Sequence, residues 1–109
     1  NVIPAIQVHL ADLATLGFEL SPVYPNPLVS TSDVARIRYR VPAEQPVRVT
    51  VHDMLGRTVA VLADYAHAAG VYETSWTPYS AEGPLGSGTY IIRLQAGNAV
   101  MTRSVALAR

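Results

Sequence analysis

His52 and Asp53 are adjacent in the sequence and are residue types that bind metal ions or transfer protons. They end a segment of alternating apolar residues that predicts a β-strand, in which neighbouring side chains point to opposite faces of the sheet. The pair therefore cannot easily converge on one ion. His9 and His67 fall in a predicted linker and a predicted loop, without the spacing of metal ligands. We predict no metal site.

Motifs for nucleophilic catalysis and phosphate binding are also missing. Serines are plentiful, but none lies in a Gly-x-Ser-x-Gly context. The "GSG" at residues 86–88 is not followed by the predicted helix that a phosphate-binding loop requires. The sequence predicts a protein that is not an enzyme and binds no cofactor.

Arginines form the most distinctive charged pattern. Arg36, Arg38 and Arg40 alternate with apolar residues, so they share one face of a predicted strand, and Arg48 is expected across from them on a neighbouring strand. One interpretation is a recognition surface for an acidic protein groove or for anionic lipopolysaccharide. The other is a solvated face whose charges prevent edge-to-edge aggregation.

The overall composition limits the class of protein. The chain has 109 residues, half of them hydrophobic, which suits one domain with a real core. A formal net charge of zero argues against nucleic acid as the main partner. The apolar stretches are too short to span a bilayer, and the first residues lack the positive leader of a signal peptide. We expect a module from a longer exported chain.

A period of two dominates the chain and predicts strands. Ile37, Tyr39 and Val41 alternate with the arginines, and a second segment, residues 46–52, places its valines inward and Arg48, Thr50 and His52 outward. Together with later segments this predicts about seven short strands, in an all-β, immunoglobulin-like antiparallel sandwich. The aromatic residues predicted inside the core are Tyr72, Trp76 and Tyr90, whereas Tyr65 and Tyr79 are predicted in loops.

Glycines and acidic residues mark the turns between these strands. Asp53 can accept a backbone hydrogen bond and Gly56 can adopt positive φ, so residues 46–64 are predicted as a hairpin. Gly97-Asn98 predicts a final hairpin, whose last strand reaches about Leu107. The remaining turn glycines are Gly70 and Gly88, and residues 78–88 are predicted as the longest irregular loop.

The stretch "SPVYPNP", residues 21–27, combines three prolines with Tyr24 and Asn26. Pro25 and Pro27 lack the N–H that a ladder requires, and Asn26 before a proline is biased to extended geometry. We predict an elbow that ends one strand and carries the chain to the second sheet, with Tyr24 packed as its anchor. Residues 1–17 are predicted to be a linker or an extra edge strand, with helical spacing only at 9–16, and residues 18–109 to be the sandwich.

Six segments taken in order resemble one known family. They are "FELSPVYPNP" (18–27), "ARIRYRVP" (35–42), "VRVTVHDMLGRTVAVL" (47–62), "AAGVYETSW" (68–76), "GPLGSGTYIIRLQAG" (83–97) and "MTRSVALAR" (101–109). This series resembles the C-terminal sorting domain of the bacterial type IX secretion system, an immunoglobulin-like relative of a domain in flagellar hook-capping proteins.

The resemblance implies a non-catalytic signal that directs a cargo protein through the periplasm and across the outer membrane, to be released or attached at the cell surface. The implied partners are the outer-membrane translocon and the attachment machinery. The signature residues that carry the resemblance are Tyr24, Pro25, Asn26, Pro27, Asp53, Gly56, Arg57, Gly70, Trp76, Gly88 and Tyr90.

The chain departs from the family pattern at two places. Trp76 is followed by "TPYS" where the family has an acidic or amide residue and glycine, so no cation-binding loop is expected. Arg103 and Arg109 stand where the family has lysines, and they join the arginine row as candidate recognition residues.

Two other functions remain open on the residues alone. A glycan-binding accessory module of a secreted hydrolase would use Trp76 and exposed tyrosines as a stacking platform. A structural spacer or assembly domain would need only the sandwich itself.

Overall fold

Residues 18–29, 33–80 and 83–108 are described by a computed structural model of the protein. Their strands are β1 (Glu19–Leu20), β2 (Ala35–Val41), β3 (Gln45–His52), β4 (Thr58–His67), β5 (Gly70–Trp76), β6 (Tyr79–Ser80), β7 (Gly83–Pro84), β8 (Gly88–Ala96) and β9 (Ala99–Leu107). Within these ranges no helix is long and apolar enough to cross a membrane. Residues 1–17, with the predicted linker, His9 and the helical spacing, lie outside the described residues.

Two antiparallel sheets contain seven of the described strands. One has the order β1-β2-β5 and the other the order β4-β3-β8-β9, while β6 and β7 pair as a small separate hairpin. The prediction of an all-β sandwich of about seven strands is confirmed. The hairpin of β6 and β7 corrects the irregular loop predicted at residues 78–88, because Tyr79 and Ser80 pair with Pro84 and Gly83.

The core lies between the two sheets and follows the alternation of the sequence. Ile37, Tyr39 and Val41 of β2 are buried while the arginines between them are not, and the valines of β3 are buried in the same way. Trp76 and Tyr90 are buried as predicted, but Tyr72 is only half-buried at the margin. Strand β9 ends at Leu107 as expected, and Val105 and Leu107 are 1% and 2% exposed.

Thr50 corrects the prediction of an outward row on β3. It is 4% exposed, although it follows the outward Arg48 and precedes His52. Strand β3 is flanked by β4 and β8, so a short side chain at its centre is covered by longer neighbours. The Thr50 hydroxyl lies 2.8 Å from Nε2 of His52, which satisfies its polar group.

The end of β4 also differs from expectation, since Tyr65 and His67 belong to the strand and not to a loop. Register shifts opposite Val49/Thr50 and Val51/His52 break the simple alternation that sequence reasoning relies on. Beyond these shifts the pairing is regular, with His67 opposite Gln45 and 1% exposed. Tyr65, two residues earlier on the same face, lies opposite Val47 at the sheet edge, stacks on the His67 ring at 4.2 Å and is 58% exposed.

Candidate recognition surface at one end of the sandwich

The elbow, which we define as residues 21–28, connects the two sheets. The amide of Arg36 on β2 donates to the carbonyl of Tyr24 at 2.7 Å, so the elbow begins against the first sheet. Four residues later, the amide of Leu28 donates to the carbonyl of Ala106 and the amide of Ala108 to that of Leu28, both at 2.7 Å. The chain therefore crosses to the second sheet, as the prolines predicted. The Tyr24–Pro25 and Asn26–Pro27 peptide bonds are both cis.

Tyr24 is not the anchor of the elbow, contrary to the sequence prediction. Its side chain is 72% exposed, whereas Val23 and Leu28 are 4% and 0% exposed. The reason is register: Tyr24 lies directly opposite Arg36, and residues opposite each other in an antiparallel pair point to the same face. Arg36 points outward, so Tyr24 does too.

Asn26 holds the outer edge of β9, a role that sequence reasoning missed. Its Oδ1 accepts from the amide of Ala106 at 3.0 Å and its Nδ2 donates to the carbonyl of Ser104 at 3.3 Å. The side-chain amide thus pairs with β9 as the backbone of a further strand would. The signal in the sequence was an amide side chain between two prolines, neither of which has a backbone N–H to donate.

The turn between β3 and β4 is held by one carboxylate. Oδ1 of Asp53 accepts from the amides of Leu55 and Arg57 at 3.0 and 2.9 Å, and Oδ2 accepts from Nε of Arg57 at 2.8 Å. Partial burial alone would raise the pKa of Asp53, but the Arg57 amide and guanidinium and the Leu55 amide outweigh it and hold the pKa below its ordinary value. Gly56 has φ of 85°, as the turn requires.

The start of β8 lies beside this turn. Tyr90 donates from its hydroxyl to the carbonyl of Gly86 at 2.6 Å, and its ring lies 5.5 Å from that of Trp76 on β5. Gly88 is paired with Leu107 at the end of β9. All signature residues except Gly70, which pairs with Val41, therefore lie at one end of the sandwich. We call it the signature end.

The predicted arginine row is divided between the two sheets, which corrects the placement of Arg48. Arg36, Arg38 and Arg40 lie on β2, but β3 belongs to the other sheet because the chain changes sheets at residues 42–44. Three of the four arginines also face carboxylates, at 3.7 Å for Arg36–Glu73, 3.1 Å for Arg40–Glu19 and 3.8 Å for Arg48–Asp64. The sandwich has no continuous row formed by these four residues.

Arg103 connects β9 to the first sheet. Its Nε donates to the carbonyl of Leu20 at 2.8 Å. This contact gives Arg103 a structural role beside the recognition role predicted for it. Arg109, the other arginine of the predicted pair, lies outside the described residues.

The opposite end of the sandwich contains a buried polar cluster that the sequence did not indicate. The carbonyl of Tyr65 can only accept, so Nδ1 of His67 donates to it at 3.0 Å, and Nε2 accepts from the hydroxyl of Tyr39 at 2.7 Å. Burial, with a smaller contribution from Tyr65 and Tyr72, raises the pKa of Tyr39 to about 12. The hydroxyl therefore remains a donor at physiological pH, and the cluster stabilises the fold.

Metal-binding arrangements are not found in the part of the chain that the structure describes. No group of three or more His, Asp or Glu side chains could hold an ion there. His52 contacts Thr50 and Thr58, while Asp53 contacts Arg57, so this adjacent pair does not converge.

A family model described as a secretion system C-terminal sorting domain matches residues 22–107. The chain belongs to this family. No curated protein matches it. The match begins in the elbow and ends with the last residue of β9, the two segments that Asn26 and Leu28 join at the signature end.

Membership of this family establishes what the domain does. Such a domain is the C-terminal sorting signal of cargo proteins in type IX secretion, and its family is non-catalytic. It interacts with the secretion machinery, and the protein that carries it is exported and then released or attached at the surface. The resemblance identified from the six sequence segments is confirmed.

Proposed function

We propose that the outer-membrane translocon recognises this domain as a folded unit at its signature end. The observation that carries the proposal is the pairing of Asn26 with Ser104 and Ala106, which makes the elbow and the last strand one surface. A partner that contacts this surface contacts the elbow and β9, the first and last segments of the sandwich, at the same time. It therefore distinguishes the folded domain from either segment alone.

The last strand supports recognition of a folded domain because it is part of the core. Val105 and Leu107 are buried, and Leu28 pairs with β9 on its outer edge. If the translocon instead bound the C-terminal segment as an extended peptide, both side chains would have to leave the core. Each removal costs about 1.5–3 kcal/mol, a large part of the ~5–15 kcal/mol that stabilises a small domain.

Further partners follow from the same proposal. The cargo passes through the periplasm, and attachment machinery receives the domain at the cell surface. Residues 1–17 serve as the linker to the cargo, and residues 18–109 as the signal. Anionic lipopolysaccharide is a secondary contact for the outward face of β2, with Arg36 and Arg38, and it is weak because Glu73 is placed against both arginines.

An export assay tests the proposal. Residues 1–109 are fused behind a signal-peptide-bearing fluorescent reporter in a type IX-competent bacterium, beside a version that ends at Gln95 and therefore lacks β9. We expect the full fusion at the surface or in the medium and the shortened fusion in the periplasm.

The elbow adds a finer test. The fusion with Asn26→Ala should lose export to a greater degree than Tyr24→Ala if the joined surface is what the translocon contacts. Periplasmic retention of the full, folded fusion in this bacterium and in the native host would overturn the proposal. Polysaccharide binding by the isolated domain would then be measured, as the glycan-binding alternative requires.

A further inference from the structure

The turn between β3 and β4 exposes two large apolar side chains that the fold does not use. Met54 is 68% exposed and Leu55 is 79% exposed. The turn is already fixed by Asp53, Gly56 and Arg57, and the side chains of Met54 and Leu55 take no part in the core. Polar residues at these positions would satisfy the turn equally well. Adjacent exposed apolar side chains on a fixed turn indicate a contact surface.

Met54 forms a ridge between two hollows. One, of about 350 Å³, is lined by His52, Ile91 and Arg93, and the other, of about 210 Å³, by the start of β8 from Ser87 to Tyr90. Met54 lines both hollows, and Leu55 lines the second. A ridge with a hollow on each side can be matched in shape by the surface of a folded protein partner.

The net charge around the ridge is positive. Arg57 and Arg93 line the hollows, and the only carboxylate among the lining residues of both is Asp53. Asp53 pairs with the Arg57 guanidinium at 2.8 Å, so these two charges offset each other and Arg93 is the remaining charge among the lining residues. An acidic rim on the partner would complement this surface.

We infer that the Met54–Leu55 ridge inserts into an apolar pocket with an acidic rim on a protein component of the secretion machinery. This inference rests on the proposed function, since it adds a specific contact to recognition of the folded domain. A lipid surface fits less well, because a bilayer presents no shape to fill the two hollows, whose linings include the polar Ser87, Thr89 and His52. A flexible methionine is suited to such a pocket.

The test compares two double variants of the reporter fusion that carries residues 1–109. M54S/L55S removes the ridge, and V61S/V71S removes two other exposed apolar side chains, which are 50% and 61% exposed on β4 and β5. We expect M54S/L55S to keep the wild-type Tm and to lose export by at least about tenfold, the loss expected when a buried interface residue is truncated. V61S/V71S should be exported as the wild type is.

The charge of the rim gives a second variant pair. Arg93→Glu should reduce export several-fold, whereas Arg93→Lys should retain most of it, with the folded state of each checked by its Tm. A photocrosslinker at Leu55 should label an identified outer-membrane component of the secretion machinery, and the same group at Val61 should not.

Each outcome decides between the hypotheses. Export of M54S/L55S at the wild-type level overturns the ridge contact and leaves the proposed function standing. Failure of the unmodified fusion in its native host overturns the proposed function, and the ridge contact with it. Flotation of the unmodified domain with phosphatidylglycerol–phosphatidylethanolamine vesicles, lost in M54S/L55S together with export, would make a lipid surface the occupant and overturn the protein pocket.

Discussion

The two ends of the sandwich are stabilised in different ways. At the signature end, polar side chains near the surface hold backbone groups, as Asn26 does on β9 and Asp53 does in its turn. At the opposite end, Tyr39 and His67 form a buried hydrogen bond within an aromatic cluster. Ten of the eleven signature residues lie at the first end. The residues that carry the resemblance thus concentrate at the end where polar side chains near the surface hold the backbone.

Leu107→Ala should have the largest effect. It removes a core side chain from the last strand at the signature end, and we expect a loss of about 2–5 kcal/mol in the free energy of unfolding. Urea denaturation of the isolated domain measures this change. Val100→Ala on the same strand, at a position 49% exposed, is the control and should cost less than about 0.5 kcal/mol. Equal effects would mean that the end of β9 is not part of the core.

Tyr39→Phe tests the opposite end. It leaves Nε2 of the buried His67 without its donor, and we expect a loss of about 1–3 kcal/mol at neutral pH. The pKa of Tyr39 is raised from 10.0 to about 12 on folding, so its stabilising effect is complete below pH 10 and disappears as the pH rises through 12. The difference in unfolding free energy between wild type and variant should therefore shrink above pH 10. A constant difference would contradict the buried donor.

Asn26→Ala examines the join between elbow and last strand. The variant loses two hydrogen bonds to β9, each with a net effect of about 0.5–1.5 kcal/mol, and leaves the outer edge of β9 less protected. Hydrogen exchange should show faster exchange of the Ala106 amide, the group that Asn26 protects. Tyr24→Ala, two residues earlier and exposed, should leave both stability and exchange unchanged. If the two variants behave alike, the elbow acts through its prolines alone.

Asp53→Asn should have the smallest effect, because the turn is near the surface. The pKa of Asp53 is lowered on folding, so its stabilising effect is present above the ordinary value of 3.8 and is lost as the pH falls through the folded value. The Tm of wild type should exceed that of the variant at neutral pH, and the two should converge in acid. Thermal unfolding between pH 2.5 and 7 measures this. A Tm difference that persists at pH 2.5 would show that the charge of Asp53 is not responsible.

Features that depend on local sequence were predicted well. The alternation in β2 and β3, the glycine turn at Gly56 and the hairpin at Gly97-Asn98 each involve residues a few positions apart. Gly97 has φ of 57°, as the first position of a two-residue hairpin turn of this kind requires. The core residues could be predicted from this alternation, because one face of each strand must be apolar.

Features that depend on which segments meet were not predicted. Arg48 was placed beside Arg36 because β2 and β3 are consecutive, yet they belong to different sheets. Tyr24 was predicted to pack as the anchor of the elbow, but its register opposite Arg36 turns it outward. His67 is buried because Tyr39 and Tyr72 of the other sheet cover it, a long-range contact that no periodicity reveals. The role of Asn26 required knowing that β9 lies beside it.

The bonds of Asn26 can form only after the last strand has been synthesised. They join residues 78 and 80 positions apart in the chain, and closing so long a loop is entropically costly. Chains grow from the N terminus at roughly 5–20 residues per second. Several seconds therefore separate the synthesis of Asn26 from that of Ser104 and Ala106. A polypeptide interrupted before β9 leaves the elbow without its partner. The join between elbow and last strand therefore requires a chain that extends through Ala106.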